Sequence, residues 1–163
     1  VAAMRRRSRK EPWDDETGSR IRVLLECEPE MSPSIIAPVI ERHGYAVRTC
    51  DGPAHDGCDL LEDGACALVD GADVVVNMLH SPVNAPRVRN AVSSTRRPPA
   101  IVAEMTPSEV EASSGGETGT PGVDLDRVTV LRSPANTSRL MGAIDEAVMR
   151  QGMPLPIWGD GFC

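Results

Sequence analysis

Lysine is nearly absent from this sequence: Lys10 is the only one in 163 residues. Residues 11–163 therefore offer no amine for a Schiff base and no lysine for a Walker-type phosphate loop. Aromatic residues are equally scarce, 2% of the chain, namely Trp13, Tyr45, Trp158 and Phe162. That leaves an almost wholly aliphatic core and argues against the stacking platforms that bind single-stranded nucleic acid. No apolar run approaches the ~20 residues of a membrane span. There is no Cys-x-x-Cys pair, so the common zinc and dithiol motifs are missing. No Gly-rich dinucleotide fingerprint follows the first apolar strand pattern, which disfavours a nucleotide cofactor.

What is present is enough for one ordinary domain. Hydrophobic residues make up 40% and charged residues 25%. The charge is uneven. Residues 1–20 hold six basic and four acidic side chains, a net of +2, whereas residues 21–163 hold 11 arginines against 20 carboxylates, a net of −9. An acidic body is unsuited to duplex DNA, which needs a basic face. The excess of Arg over Lys, with abundant Ala, Gly, Val and Pro, points to a GC-rich bacterial source. The basic start (Arg5, Arg6, Arg7, Arg9, Lys10) runs into acidic residues rather than an apolar signal region. The expectation is a cytoplasmic protein whose five cysteines remain thiols.

The chain divides into a disordered charged arm (1–20) with almost nothing to bury, a folded body (21–151) and a tail (152–163). Short apolar strands are expected at residues 21–25, 45–49, 73–78, 100–105 and 128–131. Helical spacing runs from Ser32 to Gly44, with Ser32 as N-cap and Pro33 at the first helical position. Pro38 predicts a late start or a kink there. A broken helix is expected near 58–68 and a weak one near 86–92. Thr106 and Glu109 form a capping box, and residues 113–122 read as a flexible loop. The stripe Leu140, Met141, Ile144 and Val148 marks a last helix over 137–150 that Gly152 ends. Strand and helix thus alternate five times, the pattern of a doubly wound α/β domain with a five-stranded parallel sheet. Ligands in such sheets bind at the carboxyl ends of the strands.

Four segments together resemble a bacterial response-regulator receiver domain. Val-Leu-Leu-Glu-Cys-Glu-Pro (23–29) is similar to the first receiver strand with its acidic pair and proline. Glu-Arg-His-Gly-Tyr-Ala-Val (41–47) resembles the join of first helix and second strand, and Asp-Val-Val-Val-Asn (73–77) the strand leading to the phosphoacceptor. Leu-Arg-Ser-Pro (131–134), with Leu140 and Ile144, resembles the last strand and helix, including the cis-type proline position. The resemblance covers residues 21–150 and implies a flavodoxin-like sheet of order 2-1-3-4-5.

The resemblance also says which chemistry is missing. Receiver phosphorylation uses acidic Mg²⁺ ligands after the first strand, an acceptor Asp after the third, a hydroxyl after the fourth and a Lys after the fifth. Here those places hold Glu26, Cys27 and Glu28, then Asn77, then Glu104 (or Met105), then Ser133. An amide is no phosphoryl nucleophile, and thiol and amide are poor partners for a hard cation. The reading is a degenerate receiver pocket: a non-catalytic signalling or interaction module without metal or cofactor. Its expected partner is a protein or a second copy, with no role for membrane or, in the domain body, nucleic acid. More bland readings have Asn77 merely ending a strand, and Glu104, His80 and the trio Glu26, Glu28 and Glu30 merely solvated.

A second resemblance belongs to another class. Residues 27–34, Cys-Glu-Pro-Glu-Met-Ser-Pro-Ser, are similar to the phosphocysteine loop of sugar-phosphotransferase IIB proteins. The flanking carboxylates oppose a thiolate there. The alternative function is therefore thiol phosphotransfer, or redox or metal sensing, at Cys27 with Cys50. In the order 2-1-3-4-5 these two end adjacent strands, which predicts Cα atoms within about 10 Å. Cys50, Cys58 and Cys66 fit no zinc spacing. The basic arm and the Trp158/Phe162 tail are open as partner contacts.

Overall fold

Five parallel strands form one sheet, as the strand–helix alternation predicts, in the spatial order 2-1-3-4-5 that the resemblance implies. They are β1 (Arg22–Cys27), β2 (Ala46–Cys50), β3 (Val74–Met78), β4 (Ala100–Met105) and β5 (Val128–Arg132). Between them run α1 (Pro33–Arg42), α2 (Asp59–Asp63), α3 (Ala67–Asp70), α4 (Asn84–Ser93), α5 (Pro107–Ser114) and α6 (Thr137–Arg150). The structure is a computed structural model that describes residues 13, 18–54, 57–114 and 126–157. The expected disorder of the arm, most of the loop at 113–122, and Trp158, Phe162 and Cys163 fall outside the described residues.

Alternation along each strand sorts the side chains onto two faces. Val23, Leu25 and Cys27 of β1, with Val74, Val76 and Met78 of β3, pack under Ile40 of α1 and Leu140, Ile144 and Val148 of α6. Leu24 and Val75 face the other way, with Leu60, Leu68, Val88 and Val92. β3 and β4 are buried along their whole length, as expected where helices cover both faces of a parallel sheet. Among the described residues Tyr45 is the only fully buried aromatic. Its hydroxyl donates to Asp145 on α6, tying the entry of β2 to the last helix.

Three local expectations need correction. Ser32 stands at the N-cap of α1 with Pro33 after it, as expected, but its side chain makes no capping hydrogen bond. It closes the 3₁₀ turn Pro29–Met31 in a left-handed conformation (φ 54°), and its amide donates to the Pro29 carbonyl at 3.2 Å. The helix nevertheless starts at Pro33 and runs unbroken through Pro38. Pro38 and Ser34, whose carbonyl loses its helical donor, both lie on the exposed side, where that group is open to solvent. Finally, the arm does bury something. Trp13 packs against the second core cluster, and its indole N–H donates to the Leu68 carbonyl at 2.9 Å.

The other local readings stand. The helix near 58–68 breaks at Gly64, whose φ of 74° ends α2 in the left-handed region that favours glycine. Thr106 and Glu109 form the reciprocal capping box: the Thr106 amide donates to Glu109 Oε2 at 2.7 Å, and the Glu109 amide to Thr106 Oγ1 at 3.3 Å. Asn136 caps α6 by accepting from the Arg139 amide at 2.9 Å.

Candidate functional site

The carboxyl ends of β1, β3, β4 and β5 bring together Glu26, Glu28, Asn77, Glu104 and Ser133. They do not form one open pocket but a buried layer and a rim.

The buried layer starts from the register. Glu26 and Asn77 are direct partners on β1 and β3, so their side chains emerge on the same face. Asn77 is 0% exposed and Glu26 3%. The Asn77 amide donates to Glu26 Oε2 at 3.0 Å, and its carbonyl oxygen accepts from Arg89 Nη1 at 3.5 Å. Arg89, on α4, is itself only 3% exposed, and its Nε is buried without a partner. Burial pulls its pKa below the ordinary guanidinium value, opposed by the carboxylates of Glu109 and Glu26. Solvation is thus not the fate of Glu26. A carboxylate, an amide and a guanidinium share a dry pocket in which each needs the others.

Arg89 was absent from the sequence-based site, although a signal existed. It sits in the apolar stripe Ala85, Val88, Arg89 and Val92, where a cation is out of place unless it meets a buried anion.

The rim is more open. Glu28 accepts from the amides of His80 (2.9 and 3.1 Å) and Ser81 (3.3 Å), which pins the loop after β3. Glu104, 7% exposed rather than a solvated edge residue, accepts from the Ala135 amide at 3.3 Å. Its other oxygen lies 3.5 Å from His80 Nε2. His80 is half-exposed, yet it contacts the site through both backbone and ring. Ser133 precedes the cis proline Pro134, in accord with the cis-type position read from the sequence. Leu79, His80, Glu104, Thr106, Glu109 and Ser133 line a cleft of about 250 Å³. A hydroxyl is therefore present here, on Thr106, but it donates to Glu109 at 3.0 Å.

Receiver-type magnesium does not fit these residues. Glu26 and Glu28 already accept N–H donors, the β3 position is a buried amide, and the position between the two glutamates is a thiol. Among the described residues, no group of three or more His, Cys, Asp or Glu is arranged to hold a metal ion.

The thiol alternative gains no support from the geometry. Cys50 pairs with Glu26 in the sheet, so it neighbours Cys27 along the strand as predicted. A one-residue offset in a strand reverses the face, however. Cys27 packs in the α1/α6 cluster and Cys50 against the opposite one. Both touch a second cleft of about 250 Å³ at the strand ends, but neither is in a disulfide, nor are Cys58 and Cys66. Burial, and then Glu28, push the Cys27 thiol up to about 11. Its Sγ–H donates weakly to the Glu28 carbonyl at 3.5 Å. At pH 8, iodoacetamide labelling of Cys27 is expected to run roughly a hundredfold slower than that of an ordinary cysteine, and to keep accelerating up to about pH 11. A rate that levels off below neutral pH, read by peptide mass mapping, overturns this.

The sequence matches no protein-family model and no curated protein. Solved structures do match. A response regulator receiver protein from Sinorhizobium medicae superposes with a TM-score of 0.55 at 17% identity, over 80% of this chain and 96% of that one. A receiver domain protein from Bacillus halodurans gives 0.52 at 17%, over 78% and 97%. A receiver domain protein from Clostridium thermocellum gives 0.53 at 16%, over 82% and 97%. At this identity the likeness speaks for the fold alone, and by fold this chain is a receiver-like α/β domain.

Proposed function

We propose that this chain is a receiver-like signalling module that works without aspartyl phosphorylation, through contact with a protein partner or a second copy. The observation that carries this reading is the state of Asn77. It stands at the end of β3 in place of a carboxylate, fully buried, with its amide on Glu26 and its oxygen on Arg89. Neither nucleophile nor space for a phosphoryl group is offered there. The rim carboxylates Glu28 and Glu104 are likewise held by backbone amides, and no lysine follows β5. The four cysteines among the described residues stand outside any disulfide, which suits a cytoplasmic setting. No described helix is long and apolar enough to cross a membrane. Exposed Ile35 and Met149 lie on α1 and α6, the helix pair that shares one face of the sheet, and are candidates for the contact surface.

The test is incubation with Mg²⁺ and acetyl phosphate followed by intact-mass measurement. The expected result is an unchanged mass. A single acid-stable, base-labile phosphoryl adduct on the protein defeats the proposal.

A further inference from the structure

We infer that the hollow beside α3 at the N-terminal edge of the sheet is an internal docking site for Trp13, which latches the charged N-terminal arm to the domain. Four observations converge on this one side chain. Its indole N–H donates to the Leu68 carbonyl at 2.9 Å. That carbonyl belongs to the one-turn helix α3, in which the Ala67 and Val69 carbonyls accept from the Gly71 and Ala72 amides and the Leu68 carbonyl accepts from the indole. The ring packs against the second core cluster. The Arg22 guanidinium, at the start of β1, lies 6.0 Å from the ring centroid, within cation–π range.

Gly71 supplies the fourth observation. Its backbone (φ −95°, ψ −4°) is one that any residue adopts, so conformation does not call for glycine. Space does. A Cβ at Gly71 would lie 2.4 Å from Trp13 Cδ1 and 3.0 Å from Nε1. The hollow is shaped to a ring that arrives from a segment more than fifty residues away in sequence.

The experiment makes Trp13 the sole tryptophan with the substitution W158F in the full chain. Acrylamide quenching of the folded protein is expected to be several-fold weaker than in urea. Gly71→Ala in that background raises it towards the urea value while far-UV circular dichroism is retained. Independently, Trp13→Ala speeds tryptic cleavage after Arg20 several-fold, which decides the matter if Gly71→Ala does not fold. Quenching in the folded W158F protein equal to that in urea overturns the latch, as does an unchanged cleavage rate for Trp13→Ala. Protection that vanishes on dilution also overturns it, because the ring would then dock on a second copy.

Discussion

Arg89→Leu is expected to lower the stability of this domain by about 3–5 kcal/mol, the usual cost of removing one partner from a buried charge pair. The side chain is 3% exposed and sits beside Asn77, with the carboxylates of Glu109 and Glu26 supplying the opposing charge. Leucine would fill part of the space and would also remove the buried Nε that has no partner. The gain from that relief is of order 1–3 kcal/mol at most and does not offset a carboxylate left dry. The midpoint of urea unfolding reads the effect. Glu26→Gln in the Arg89→Leu background should recover part of the loss, since a neutral amide no longer needs the cation. If the double variant is as unstable as the single one, packing rather than charge explains Arg89.

Asn77→Asp has the second largest expected effect, and it also tests whether a carboxylate at this place restores receiver chemistry. The amide that now donates to Glu26 at 3.0 Å would become an acceptor facing an acceptor. Two carboxylates at that distance in a fully buried site do not both ionise freely. A shift of two units in the introduced carboxyl corresponds to about 2.7 kcal/mol. The sign follows from linkage. The folded-state pKa of the introduced carboxyl lies above its unfolded value of about 4, so the native state holds the extra proton more tightly. Near pH 4 the protonated carboxyl can donate to Glu26 as the amide does, and the variant is close to the parent in stability. As the pH rises towards 7 the deficit grows to about 2–3 kcal/mol. Thermal melts at pH 4.5 and pH 7.5 check this, and a deficit that shrinks as pH rises contradicts it. Acetyl phosphate with Mg²⁺ is expected to leave this variant unmodified, because the introduced carboxyl faces Glu26 and Arg89 rather than solvent.

The limits of the sequence reading are clearest on β1. A short apolar run identified the strand, and the receiver-like order placed β2 and β3 on either side of it. The alternation of side chains between the two faces contained the answer to the thiol question, since Cys27 and Glu26 point to opposite faces and Cys50 is in register with Glu26. Adjacency of strands was legible, but the stagger between them was not, and stagger decides which face two neighbours share. The fate of Glu26 was hidden for a related reason. A glutamate at a strand end reads as solvated unless its countercharge is known, and that countercharge comes from α4, more than sixty residues later.

What the sequence determined alone is whatever depends on local pattern or on the residue inventory. The five strands, the α6 stripe, the Thr106–Glu109 capping box and the break at Gly64 are short-range consequences of side-chain period and backbone preference. The lack of lysine after residue 10 is independent of any fold. Tertiary structure alone decided which polar groups meet. It sealed Asn77 between Glu26 and Arg89, turned Glu28 and Glu104 onto loop amides, and set Trp13 against Leu68 and Gly71. Each of these contacts joins separate segments, and burial turns a neutral-looking choice of residue into a requirement for one particular partner.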